Sequence, residues 1–104
     1  MKFGRVEKIV LLYFGFKRNE SSKLLKRTEI TRDIKKLLGK EDDTSFPVVL
    51  NNSIKKLILD KKLLYRRYSR IGINKKGLKY AVQILEELKN KGTIKNWDDI
   101  LSKL

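Results

Sequence analysis

The sequence predicts a small α+β domain, mostly helical, in the order helix, helix, helix, two-stranded ribbon, helix. Three observations carry this. Apolar residues recur at helical spacing in separate stretches. Between residues 63 and 73 that spacing gives way to alternation, the mark of strands. The chain has 104 residues, of which 40% are hydrophobic, enough for one core and too few residues for two.

Each element has a local reason. Val6, Ile9, Val10, Tyr13, Phe14 and Phe16 fall near helical spacing, so a first, mostly buried helix is expected over 5–16, ending about Lys17. Arg18 to Ser22 is polar and loop-like, and Lys23 to Lys26 reads as a short extended segment. Ile30, Ile34, Leu37 and Leu38 form one stripe of an amphipathic second helix. Thr28 is its expected N-cap, Glu29 complements the dipole, and Gly39 ends it. After the acidic turn 40–44, Ser45 is the expected cap of a third helix, with Pro47 in its first turn. Leu50, Ile54, Leu57 and Ile58 are its inner stripe. Val48, Asn52, Lys55 and Lys56 then point away from that stripe, and Val49 lies at its margin. Leu59 also turns outward on this wheel and is expected to pack under the ribbon.

Residues 63–68 and 70–73 form the ribbon, joined around Ser69, with arginines at its tip. Asn74 caps a fourth helix whose inner stripe is Leu78, Val82, Leu85 and Leu88, and Gly92 ends it. Asn96 caps a last short helix with Trp97, Ile100, Leu101 and Leu104 apolar. Two helices joined by a tight turn and followed by a ribbon make a helix-turn-helix with a two-stranded β-wing. Residues 1–92 are the expected domain, and 93–104 a C-terminal helical extension that contacts a second copy.

Charge narrows the function. Lys+Arg number 26 and Asp+Glu 12, a net +14. Residues 44–85 hold Lys55, Lys56, Lys61, Lys62, Arg66, Arg67, Arg70, Lys75, Lys76 and Lys79 against Asp60 alone. Crowded like charges repel unless something anionic sits among them, so a polyanion is the expected partner. Residues 86–104 are balanced in charge and are not expected to touch it. An enzyme is not expected. Histidine and cysteine are absent, and no Gly-rich phosphate loop is present. The acidic triplet Glu41-Asp42-Asp43 reads as a cap region rather than a metal site. No cofactor, metal or small-molecule ligand is indicated. The longest apolar run, Ile9 to Phe14, is far short of the ~18–20 residues that span a bilayer, so a cytoplasmic protein without membrane contact is expected.

From Ser45 to Gly77 the chain resembles winged helix-turn-helix transcription regulators of the multiple-antibiotic-resistance-repressor and phenolic-acid-repressor type, including small archaeal and archaeal-virus regulators. Ile73-Asn74-Lys75-Lys76-Gly77 is similar to the family's return from the wing, a leucine-threonine-any-lysine-glycine pattern. Lys62 departs from it, standing where the family usually places glycine after the recognition helix. The Lys/Ile/Leu-heavy composition is similar to that of thermophilic archaea and their viruses. The resemblance implies a double-stranded DNA-binding regulator, acting as a homodimer on a two-fold site. Its recognition helix, about 45–60, enters the major groove, and its wing, about 63–73, lies on the backbone or minor groove. If viral, it acts in the host cytoplasm.

On that reading Ser45, Val48, Val49, Asn52 and Lys56 are candidate base readers. Asn52 suits adenine and the valines suit the thymine methyl. Lys55, Lys56, Lys61, Lys62 and the wing arginines supply phosphate contacts. Arg66, Arg67, Tyr68 and Arg70 lie near the wing tip, with Arg67 or Arg70 suited to a narrow minor groove. Each has a plainer reading: the valines as packing against the second helix, Asn52 as a solvated amide, Tyr65 and Tyr68 as strand residues. A non-specific DNA- or RNA-binding module, a replication or chromatin accessory, and a protein-bridging winged helix stay open beside the regulator.

Overall fold

The computed structural model of the chain describes residues 2–20, 24–39 and 42–92. Four helices and three short strands follow in the order α1 (Arg5–Glu20), β1 (Leu25–Lys26), α2 (Arg27–Leu37), α3 (Phe46–Leu59), β2 (Leu64–Arg67), β3 (Arg70–Ile73) and α4 (Lys75–Asn90). The fold is α+β and mostly helical. α1 runs past its expected end near Lys17 to Glu20. It is buried without a break from Ile9 to Phe16, and it packs on α2, α3, α4 and β3. A helical stretch apolar on all sides belongs at the centre of a core, and that is where Ile9 to Phe16 of α1 sits.

The ribbon is not two-stranded. Its strands β2 and β3 are joined by β1, giving a three-stranded antiparallel sheet in the order β1-β3-β2. Leu25 pairs with Ile71 and Lys26 with Arg70; across the hairpin Leu64 pairs with Ile73, Arg66 with Ile71 and Arg67 with Arg70. β1 falls within the segment 23–26 expected to be extended, but it is too short to show a period, and its pairing with β3 was not expected. Leu25, Leu64, Ile71 and Ile73 are buried on the inner face.

Several caps differ from expectation. α2 starts at Arg27, with Lys26 at the N-cap and no side-chain cap, so Thr28 is already inside the helix. Pairing of Lys26 in the sheet sets that boundary. Ser45 takes the N-cap position of α3 but does not cap with its side chain. The Asp43 carboxylate does so instead: its Oδ1 accepts from the N–H of Ser45 at 2.9 Å and of Phe46 at 3.2 Å, and from the Ser45 hydroxyl at 2.7 Å. A carboxylate is the stronger acceptor and suits a helix N-terminus. Pro47 lies in the first turn as expected. Gly39 leaves α2 in the left-handed region, at φ +65°.

α4 is rotated from its predicted stripe. Ala81, Ile84 and Leu85 face the core, while Val82 is 43% exposed. The fixed point is Gly77, where an added Cβ would stand 2.3 Å from the Leu63 carbonyl oxygen. That close approach turns the face of Gly77, Ala81 and Ile84 inward. Asn74 caps α4 as expected, its Oδ1 accepting from Gly77 N–H at 2.7 Å. Its Nδ2 donates to the Lys62 carbonyl at 2.6 Å, which ties the start of α4 to the end of α3. The predicted helix from Asn96, with Trp97, and the extension 93–104 lie outside the described residues.

Candidate nucleic-acid interface

α3 sorts its side chains by face. Phe46, Leu50, Ile54 and Leu57 are buried, and Ile58 is half-buried. Val48, Asn52, Lys55 and Leu59 are exposed in one line, with Val49 and Lys56 beside them. The line runs ~16 Å along the helix. Leu59 does not pack under the ribbon. It is 69% exposed at the far end of this line. The outward face therefore carries a polar middle, Asn52, Lys55 and Lys56, between apolar ends, Val48 and Val49 on one side and Leu59 on the other, and no ion pair among the described residues engages Lys55 or Lys56. Ser45 is exposed at the N-terminal end, with its hydroxyl proton given to Asp43.

A groove of about 530 Å³ flanks this face on the α2 side, lined by Arg27, Thr28, Thr31, Arg32, Lys35, Lys36 and Asn51. Arg27 Nε donates to Asn51 Oδ1 at 2.7 Å and so joins the start of α2 to α3. Sequence reasoning missed this groove, because it looked for charge density in 44–85 while these cations come from α2. The usable signal was the run of Arg27, Arg32, Lys35 and Lys36 on a helix whose apolar stripe was already assigned.

The hairpin ends in a two-residue turn, Tyr68-Ser69, beyond the Arg67–Arg70 pair. Tyr68 has φ +58°, a backbone region unfavourable to any side chain, and it is 91% exposed. Arg66, Arg67 and Arg70 are exposed as well. The register separates them: Arg66 lies on the face of Ile71, and Arg67 and Arg70 lie together on the opposite face.

Lys61 does not belong with the outward cations. Its Nζ bonds Glu7 Oε2 at 2.5 Å and the Lys2 carbonyl at 2.9 Å, and stands 4.8 Å from the Phe3 ring centre. Gly4 N–H donates to the other oxygen of Glu7 at 3.0 Å. Burial pushes the Glu7 carboxyl up. The Lys61 hydrogen bond, the Gly4 N–H and the charges of Lys61 and Lys56 outweigh it and hold the group below its ordinary value. The acid that pairs Lys61 comes from α1, far away in sequence. Lys62 next to it has φ +55°, so the position where the resemblance expects glycine does take the left-handed turn.

No metal-ligand cluster occurs among the described residues, and none of their helices is long and apolar enough to cross a membrane. Of the acidic triplet, Asp43 caps α3, Asp42 is exposed and Glu41 lies outside the described residues. No family model matches the chain, and no curated protein or solved structure matches it.

Proposed function

We propose that the chain is a winged helix-turn-helix protein that binds double-stranded DNA and regulates transcription. α3 is the recognition helix and the β2–β3 hairpin the wing. The observation that carries this reading is the outward line Val48, Asn52, Lys55 on α3, exposed and bordered by a groove lined with Arg27, Arg32, Lys35 and Lys36. An α-helix fits the major groove, where Asn52 meets adenine N6/N7 and Val48 and Val49 meet thymine methyls. Ser45 keeps acceptor capacity at the end of the helix that enters first. Lys55, Lys56 and the α2 groove neutralise the phosphates on either side.

The wing supports the same reading. Tyr68 holds an unfavourable backbone conformation at an exposed tip, and strain of this kind gathers at functional sites. Arg67 and Arg70 flank it as a pair suited to the minor groove, and Arg66 reaches the backbone from the other face. Two copies of the chain set two recognition helices ~34 Å apart on a two-fold site.

The test is a binding titration with duplexes selected from a random pool against unselected duplexes, at two salt concentrations. Preference for selected duplexes at both is expected. Equal affinity for all duplexes points instead to a non-specific nucleic-acid module, and no binding to any duplex rejects the reading.

A further inference from the structure

The outer face of the sheet carries a pattern that duplex binding uses only in part, through Arg67 and Arg70. Lys26 pairs with Arg70, and Arg70 with Arg67, so three cations stand side by side on three neighbouring strands. Directly paired residues project to the same face, and like charges so placed repel. No ion pair among the described residues offsets them. The one contact of Arg70 there is a long bond from Nη1 to the Leu24 carbonyl, at 3.4 Å.

Tyr65 shares this face, two residues from Arg67 and opposite Gly72. The glycine is what lets its ring come down. A Cβ at 72 would stand 2.7 Å from Cζ and from the hydroxyl oxygen of Tyr65, and 2.6 Å from Leu24 Cδ2. The ring end therefore lies over bare backbone, braced by Leu24, and the side chain remains 39% exposed. A braced aromatic ring beside a row of cations matches a strand that offers both a base face and phosphates. A duplex keeps its base faces inside the stack and has nothing to lay on Tyr65. A single strand has.

We propose that this face, Tyr65 with Lys26, Arg70 and Arg67, binds single-stranded nucleic acid. One base stacks on Tyr65, and the phosphates beside it cross the cation row. The site is separate from the outward face of α3, so it goes beyond the duplex reading. The two share only the hairpin arginines.

The test is fluorescence anisotropy of a labelled oligothymidine of about 12 nucleotides, a length within the usual footprint of such sites, with the full chain. Tyr65→Leu keeps an apolar cover over Gly72 and removes the stacking face; it should weaken binding about tenfold. Tyr65→Phe should stay within about twofold of the parent, because the ring is retained. Lys26→Ala should flatten the dependence of log K on log salt by about 0.7, the value for one phosphate contact on a single strand. Asn52→Ala, on α3, should leave single-strand binding unchanged.

A duplex probe run in parallel separates the two readings. Lost duplex binding with retained single-strand binding counts against the regulator alone. The single-strand proposal is overturned if oligothymidine does not bind, if Tyr65→Leu and Lys26→Ala bind it like the parent, or if Asn52→Ala abolishes it. Circular-dichroism melting checks that each variant folds. Lys26, exposed at a strand end, decides the matter if Tyr65→Leu does not.

Discussion

Two parts of the basic segment treat their charges in opposite ways. At the joint where α3 meets α4, Lys61 is drawn onto Glu7, Lys2 and Phe3, and Asn74 uses both its amide groups on backbone. On the outward face of α3 and over the hairpin, Lys55, Arg66 and Arg67 have no partner among the described residues. Both places look alike in composition. The difference is that one set is satisfied within the fold and the other is left for something outside it. A charge run is therefore informative only after the cations that the core consumes have been removed from it.

If that division is right, variants at the joint lose stability, and variants on the outward face lose binding with stability intact. The largest effect is expected at Gly77. Alanine there meets the Leu63 carbonyl, which is backbone and cannot swing aside. Gly77→Ala should cost about 3 kcal/mol of unfolding free energy by urea titration, the upper part of the range for overpacking. A loss below about 0.5 kcal/mol would mean that the joint is loose, and surface-like by the usual measure of such changes.

Glu7→Gln comes next, at about 2 kcal/mol, since it removes a charged hydrogen bond and leaves Lys61 without its anion. The pH dependence has a definite sign. The folded carboxyl titrates below its ordinary value, so its contribution is complete above the unfolded pKa and is lost as pH falls through the lowered folded one. The parent should therefore lose stability on acidification below about pH 4.3, the ordinary glutamate value, more steeply than Glu7→Gln does. Parallel curves would show that the contact is not made in solution.

On the other side of the division, Asn52→Ala should leave the unfolding midpoint unchanged. It should remove about 1.5 kcal/mol of discrimination between selected and unselected duplexes, a middling value for one base contact. The salt slope should not move. Arg70→Ala should do the reverse, flattening that slope by about one unit with base preference kept. Exchange of the two outcomes would put the base-reading surface on the hairpin and the phosphate contacts on α3.

How much of this was legible follows from which forces act locally. The inner stripe of α3, the Asn74 cap and the presence of the hairpin depend on neighbours in sequence, and periodicity and capping chemistry displayed them. The outward positions Val48, Asn52 and Lys55 followed as the complement of that stripe. What stayed hidden depends on partners far along the chain. The place of β1 in the sheet is set by pairing with Ile71 and Arg70, the fate of Lys61 by Glu7, and the rotation of α4 by Gly77 against Leu63. The cation row of the sheet was invisible for the same reason, since Lys26 enters it only through β1. Leu59 failed differently: the wheel placed it outward correctly, and the expectation that an exposed leucine must find cover overrode the geometry.

The smallest effect tests the turn between the two regions. Lys62 sits at φ +55°, where a Cβ is disfavoured and glycine is at ease. Its backbone is held by function of place: its carbonyl accepts from Asn74, and the next N–H, of Leu63, bonds the Leu57 carbonyl at 2.8 Å. Lys62→Gly should relieve the strain and stabilise the chain by about 1 kcal/mol, the lower part of the left-handed penalty for an L-residue. If Lys62 also touches phosphate, the same variant should bind duplex more weakly with a salt slope flatter by about 0.9. Greater stability joined to weaker binding would mean that the lysine is kept at this turn for its charge. Greater stability with binding unchanged would assign Lys62, like Lys61, to the joint.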